Sequence, residues 1–333
     1  MKYATITGLG YYVPDNVITN EDLTQYMETS DEWIQERTGI QQRRYFTYGK
    51  DTNASMAAAA SRMALERANV TAKEVDLIVY ATITPDYFFP GSGFLMQREL
   101  GMDGIGVIDI RDQCSGFVYA LSIADQFIRT GTYKTILVVG SEIQSTWIDK
   151  SNQGRSVAVI FGDGAGAAVV QATSDPAHRI LSTHLHADGR FAEDLYVKDP
   201  GSSRPNRSAT KEMVDEGGFN VVMNGNAVFK HAVVRFTEVI QEALKANELS
   251  PEDISLLVPH QANIRISDYV RQQLKLPEEK VINNIQRYGN TTAASIPIAL
   301  NEAWEQGRVR PGDLVCLAAF GSGFTWASAL IRW

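Results

Sequence analysis

Several runs along the chain are apolar at nearly every position: residues 75–82, 105–110, 135–140, 254–258 and 314–319. A strand with one wet face alternates apolar and polar side chains. A run without alternation fits a strand covered on both faces. A further strand is expected over residues 3–9, closed by Gly8 and Gly10, and another follows the glycine-rich Phe161-Gly-Asp-Gly-Ala-Gly-Ala-Ala-Val-Val170. Between these runs the pattern turns helical. Helices are expected over 20–29, over 31–37 with Ser30 or Asp31 as cap and Gly39 as stop, over the alanine-rich 53–69, and over 92–100, 116–130 and 221–246. Small side chains let the alanine-rich helix lie close to a sheet. Alternating strands and helices argue for layered α/β packing.

The pattern also repeats. Ala64-Leu-Glu-Arg-Ala-Asn-Val-Thr-Ala-Lys-Glu-Val-Asp-Leu-Ile-Val79 resembles Ala243-Leu-Lys-Ala-Asn-Glu-Leu-Ser-Pro-Glu-Asp-Ile-Ser-Leu-Leu-Val258. Each is a helix end, a capped turn and a buried strand. Thr71 with Glu74 fits a capping box, and Ser250-Pro251 fits an N-cap followed by proline. Val107-Ile-Asp-Ile110 is echoed by Val281-Ile-Asn-Asn284, and Phe161-Gly-Asp-Gly164 by Phe320-Gly-Ser-Gly323. Matches in one order point to a duplicated α/β unit. The expected division is 1–172, an irregular connecting surface segment at 173–220, and 221–333. The connecting segment includes His178, His184, His186 and the loop Gly201-Ser-Ser-Arg-Pro-Asn-Arg-Ser208. His184 and His186 have no third ligand at close spacing, so no metal is expected.

Composition narrows the class. The 333 residues are 44% hydrophobic and 21% charged, as in an ordinary globular protein. A net charge of −8 argues against nucleic acid as the main partner. No apolar run reaches the length of a membrane span, and the first residues enter a strand directly, so a cytoplasmic enzyme is expected. With 2 cysteines there is neither a disulfide framework nor a zinc spacing. Cys316 lies inside a buried-strand run and reads as core.

Cys114 is different. In Val107-Ile-Asp-Ile-Arg-Asp-Gln-Cys114-Ser-Gly-Phe117 an apolar strand ends in polar residues and a helix starts at once. Unpaired N–H groups and the helix dipole favour an anion there, so a thiol with a lowered pKa is expected. The second half places Pro259-His260 where the first has Tyr80-Ala81. It places Asn290 near the echo of the cysteine segment. Alone, the histidine reads as structural and the asparagine as a cap. In a duplicated fold, equivalent sheet ends face one centre, which brings together a thiol nucleophile and two neutral hydrogen-bonding groups. Such a set suits attack on an acyl thioester, with backbone N–H groups near Cys114 and Gly321-Ser322-Gly323 holding the oxyanion.

The whole chain resembles the β-ketoacyl-acyl carrier protein synthase III family of the thiolase-like superfamily. The motifs are Thr29-Ser-Asp-Glu-Trp-Ile34, Arg37-Thr-Gly-Ile40, Cys114-Ser-Gly-Phe117, Phe161-Gly-Asp-Gly-Ala-Gly-Ala-Ala168, Val258-Pro-His-Gln-Ala-Asn263, Gly289-Asn-Thr-Thr-Ala-Ala-Ser295 and Ala319-Phe-Gly-Ser-Gly-Phe-Thr-Trp326. The resemblance implies a thiolase-like fold of duplicated α/β units in αβαβα layers. It also implies a homodimer without a cofactor. Cys114 would take the acyl group of an acyl-coenzyme A primer. His260 and Asn290 would stabilise the enolate formed when malonyl-acyl carrier protein decarboxylates. The 3-oxoacyl product would start fatty acid or related lipid or polyketide synthesis.

By the same resemblance Trp33 and Arg155 bracket the adenine of coenzyme A, and Arg37 contacts it. Asn263 is a further coenzyme A-binding position that aids the active-site water network, and Arg265 docks the carrier protein. Phe161, Met223, Gly225 and Phe229 surround the pantetheine channel and acyl pocket. Phe89 crosses into the partner's pocket. Arg111-Asp112-Gln113 replaces the small residues usual before the cysteine, and Thr84-Pro-Asp-Tyr-Phe-Phe-Pro90 is bulkier than usual. Both leave the primer open. Other readings are acyl transfer or condensation without decarboxylation, and a non-catalytic partner subunit.

Overall fold

The computed structural model describes residues 2–203 and 209–333. Residues 204–208 of the expected surface loop lie outside the described residues. The first half runs β1 (Tyr3–Tyr12), α1 (Asn53–Ala68), β2 (Leu77–Ala81), α2 (Ser92–Leu100), β3 (Gly106–Ile110), α3 (Gly116–Arg129), β4 (Thr135–Glu142) and β5 (Gly164–Thr173). The second runs β6 (Arg179–Ala187), α4 (Gly225–Ala246), β7 (Leu256–Pro259), α5 (Ile264–Gln273), α6 (Ser295–Glu305), β8 (Leu314–Gly321) and β9 (Thr325–Arg332).

The strand orders are the same in both halves. The first sheet reads β3-β2-β4-β5-β1, with β2 parallel to β3 and β4, and β5 antiparallel to β4 and β1. The second reads β7-β8-β9-β6, with β7 parallel to β8, and β9 antiparallel to β8 and β6. The place of β3 is taken by a single parallel bridge from Val281 to Leu257. The duplication expected from the repeats is therefore present strand by strand. One boundary is corrected. Residues 173–220 are not simply an irregular connector, because they contain β6, the second sheet's counterpart of β1. Its half-buried side chains hide it from an apolar-run reading. Two helices are also shorter than expected, at Asn20–Leu23 and Gly225–Ala246.

Helices α1 and α2 cover the outer face of the first sheet, and α4 and α5 that of the second. Helices α3 and α6 lie between the sheets. Phe117, Leu121, Ala124 and Ile128 of α3 share one core with Ile296, Ala299, Leu300 and Ala303 of α6 and both inner sheet faces. The result is five layers, αβαβα. All residues of β4 and β8 are buried, which explains their unbroken apolar runs. Truncating a core side chain such as Phe117 to alanine costs about 3–5 kcal/mol. Helix α1 reaches β1 backbone to backbone: a Cβ on Gly10 would lie 2.2 Å from the Ala60 carbonyl oxygen. Alanine on the helix and glycine on the strand are two sides of one contact. Among the described residues no helix is long and apolar enough to cross a membrane.

Candidate active site

The central helices start from equivalent turns. Gln113–Ser115 leads into α3 and Thr292–Ala294 into α6. Superposing the turns in sequence sets Cys114 opposite Ala293, and Gly116 opposite Ser295. The turns pack on each other tightly enough that a Cβ on Gly116 would sit 2.9 Å from the Ala81 Cβ and 3.5 Å from the Ala293 Cβ. Gln113 and Thr292 both take left-handed backbone angles, with φ of 42° and 51°. For non-glycine residues, and for a β-branched one above all, this is a strained conformation that the surroundings must hold. Thr292 is held by its N–H on Asn290 Oδ1 at 2.8 Å and by Gln144 Nε2 on its hydroxyl at 2.8 Å.

Cys114 is 6% exposed. Gly321, at the end of β8, faces it so closely that a Cβ there would lie 2.7 Å from the Cys114 Cβ and 3.2 Å from Sγ. The expectation of a lowered thiol pKa is corrected. Desolvation, with the Glu142 carboxyl adding to it, pushes the Cys114 thiol up to about 12, against the backbone N–H groups of Cys114 and Ser322. Burial outweighs the helix start, because no charge of opposite sign accompanies the sulfur into the interior. At rest the Cys114 sulfur is a thiol.

His260 follows β7, its N–H donating to the Ala318 carbonyl at 2.8 Å. Its Nδ1 lies 2.6 Å from Ser295 Oγ, and its buried Nε2 has no hydrogen-bond partner among the described residues. Burial pulls the imidazole pKa down to about 3, so the ring is neutral. Asn290 is held by its N–H on the Ile160 carbonyl and by the Gly162 N–H on its own carbonyl. Its Oδ1 is taken by the Thr292 N–H, which leaves the NH₂ for the cavity.

Cys114, His260 and Asn290 line one cavity of about 590 Å³, together with Trp33, Arg37, Phe161, Met223, Gly225, Phe229, Asn263, Arg265 and Gly321. The guanidinium carbons of Arg37 and Arg155 lie 4.7 and 4.6 Å from the Trp33 ring centroid, and that of Arg265 lies 5.6 Å from Phe229. Asn263 lines the cavity. Its Oδ1 caps α5 through the Arg265 N–H, and its Nδ2 donates to the Arg37 carbonyl, which ties the cavity wall.

A second cavity, of about 600 Å³, meets the first at Cys114, Phe161 and Leu195. Thr84, Phe88, Trp147, Tyr196 and Phe219 line it, as do Arg111, Gln113, Ser322 and Gly323. Phe89 lines neither cavity of its own chain and is 81% exposed. The charges before the cysteine do not form a buried pair. The Arg111 guanidinium lies over Phe88 at 6.0 Å, while burial alone lifts the Asp112 carboxyl to about 6.

Sequence reading passed over Glu142, Ser295 and the second cavity. Glu142 ends β4 and accepts from the Thr84 hydroxyl at 2.6 Å and the Ile83 N–H at 3.2 Å; burial pushes it up to about 8. A lone acid closing a strand that is apolar over 136–140 was the available signal. His184 and His186 both face Glu242, at 3.4 and 2.6 Å.

Models of 3-oxoacyl-[acyl-carrier-protein] synthase III match residues 108–189, and of its C-terminal part residues 244–333. The chain is 50% identical over 335 residues to the beta-ketoacyl-[acyl-carrier-protein] synthase III of Rhodospirillum centenum, covering 99% of each. The crystal structure of 3-oxoacyl-[acyl-carrier-protein] synthase III from Aquifex aeolicus is similar at a TM-score of 0.91 and 43% identity, over 99% of this chain and 100% of that one. The priming beta-ketosynthase of the R1128 polyketide pathway is similar at 0.89 and 34%, over 99% and 96%. With nearly complete coverage at half identity, the chain belongs to the 3-oxoacyl-[acyl-carrier-protein] synthase III family of thiolase-like condensing enzymes.

Proposed function

We propose that Cys114 carries the acyl group, and that His260 and Asn290 serve the carbon nucleophile, in the family's Claisen condensation. One observation carries the reading. Two neutral groups, His260 Nε2 and the Asn290 NH₂, have no partner among the described residues and lie on the same cavity wall as Cys114. In the first half-reaction the Cys114 sulfur attacks the carbonyl of an acyl-coenzyme A. The N–H groups of Cys114 and Ser322 hold the oxyanion, and the thiol proton leaves with coenzyme A. In the second, malonyl-acyl carrier protein loses carbon dioxide. His260 Nε2–H and the Asn290 NH₂ hold the enolate oxygen, and the carbon attacks the acyl-Cys114 carbonyl. A carbon–carbon bond forms, the C–S bond breaks, and the thiolate is reprotonated.

The first cavity is the pantetheine passage, with Trp33, Arg37 and Arg155 at its nucleotide end and Arg265 at the carrier-protein side. The second cavity holds the primer's acyl chain, on the far side of Cys114. Homodimer formation is supported by β3, an edge strand with β2 on one side, and by the exposed Tyr87, Phe88 and Phe89 in the loop before α2. Phe89 then belongs to the partner's pocket. Acyl transfer without decarboxylation and a non-catalytic role are disfavoured by the two unpaired donors beside the thiol. Glu142 lines neither cavity, so it offers no base for a different condensation. The test is intact-mass detection of acyl-Cys114 from acyl-coenzyme A donors of rising length, with carbon dioxide release from malonyl-carrier protein. Acylation of a Cys114→Ala variant, or unchanged release by a folded His260→Ala, Asn290→Ala variant, would refute these roles.

A further inference from the structure

The enolate role of His260 requires a proton on Nε2 and not on Nδ1, and nothing in a neutral imidazole itself guarantees that. The structure holds a device for it. Ser295, the first residue of α6, is 2% exposed. Its Oγ lies 2.6 Å from His260 Nδ1 and accepts the Gln261 N–H at 3.4 Å. We propose that Ser295 is the positioning residue of the active site. Its hydroxyl donates to Nδ1, so the ring proton stays on Nε2, directed at the substrate. This rests on the enolate role given to His260 above.

A complete accounting of donors and acceptors supports this direction. If Nδ1 carried the proton and donated to Ser295, the serine hydroxyl hydrogen would have no acceptor among the described residues. Nε2 would at the same time be a buried acceptor without a donor. Two buried groups would be unsatisfied. With the serine donating, only the Nε2 proton lacks a partner, and the substrate oxygen supplies one. Gln261 keeps the pair aligned. Its side chain donates to the Pro259 and Ile282 carbonyls and accepts from the Asn284 and Ile285 N–H groups, which fixes the end of β7.

The duplication gives an internal comparison. His260 follows β7 as Ala81 ends β2, and Ser295 starts α6 as Gly116 starts α3. In the first half this contact is Gly116 against Ala81, with no polar atom in either side chain. In the second half the same packing position holds a hydroxyl against an imidazole. The polar pair is thus not required by the packing, which the other half achieves without it.

The chain has 5 histidines, few enough for selective ¹⁵N-histidine labelling to resolve the His260 ring. Long-range ¹H–¹⁵N correlation of the resting wild-type protein is expected to show an Nε2–H tautomer for His260. Ser295→Ala is expected to shift that ring toward the Nδ1–H form. Its acylation of Cys114 should stay within about 2-fold, while kcat for malonyl decarboxylation falls about 10- to 100-fold with little change in KM. An Nδ1–H ring in the wild type overturns the assignment, even if the variant does not fold. So does a folded Ser295→Ala protein with unchanged tautomer and kcat. Absent carbon dioxide release by the wild type would instead refute the condensation reading, since the tautomer is read without substrate.

Discussion

His260 should make the protein sensitive to mild acid. The imidazole is buried and its pKa falls from 6.5 to about 3, by desolvation. The folded state therefore refuses a proton that the unfolded chain accepts. A group with a depressed folded pKa that is neutral when unprotonated contributes its full stability above 6.5, and loses it as pH falls from there toward 3. The whole span, 6.5 − 3, corresponds to about 5 kcal/mol at 1.36 kcal/mol per unit. Only the part between pH 6.5 and 5 is easily reached, which is about 2 kcal/mol. The perturbation is His260→Asn, which keeps a polar side chain and removes the titration. Urea unfolding at fixed protein concentration, at pH 7.5 and pH 5, should show the wild type losing about 2 kcal/mol more than the variant. Equal losses in the two proteins would refute the buried, neutral histidine. The same reasoning predicts no inflection near pH 6.5 in the decarboxylation rate.

Gly321→Ala should fold but acylate Cys114 at least about 10-fold more slowly, because its Cβ would meet the cysteine side chain at 2.7 Å; intact-mass time courses decide. Glu142→Gln should lower the apparent pKa of Cys114, since the Glu142 carboxylate raises it; iodoacetamide rates above pH 8, where Glu142 ionises, should exceed wild type, and equal rates would contradict the coupling. Trp33→Ala should raise KM for acyl-coenzyme A about 10-fold and leave short acyl-cysteamine thioesters unaffected. A parallel rise for both donors would place Trp33 outside the nucleotide end.

Some features of this protein were legible along the chain. The unbroken apolar runs of β2, β4 and β8 announced strands covered on both faces, because burial on two sides removes alternation within the run itself. The repeat of helix end, capped turn and strand announced the duplication, since each copy must satisfy the same local geometry. Cys114, His260 and Asn290 stood out because each sits where one such element ends and another starts. Strand β6 was legible only as a strand-like stretch around His184 and His186, because its side chains are mostly half buried and no apolar run marks its extent.

What the tertiary structure alone decided depends on segments far apart in sequence. The Cys114 thiol goes up and not down, because the sheet ends and Gly321 pack around it and bury it, which no local signal reports. Asn263 is tied to a cap and to the Arg37 carbonyl, a contact 226 residues away. The hydroxyl of Ser295 meets an imidazole 35 residues earlier in the chain only because the two halves pack their strand ends and helix starts around one centre. Periodicity records which face of an element is covered. It does not record what covers it, and protonation, tautomer and pocket shape are all set by that.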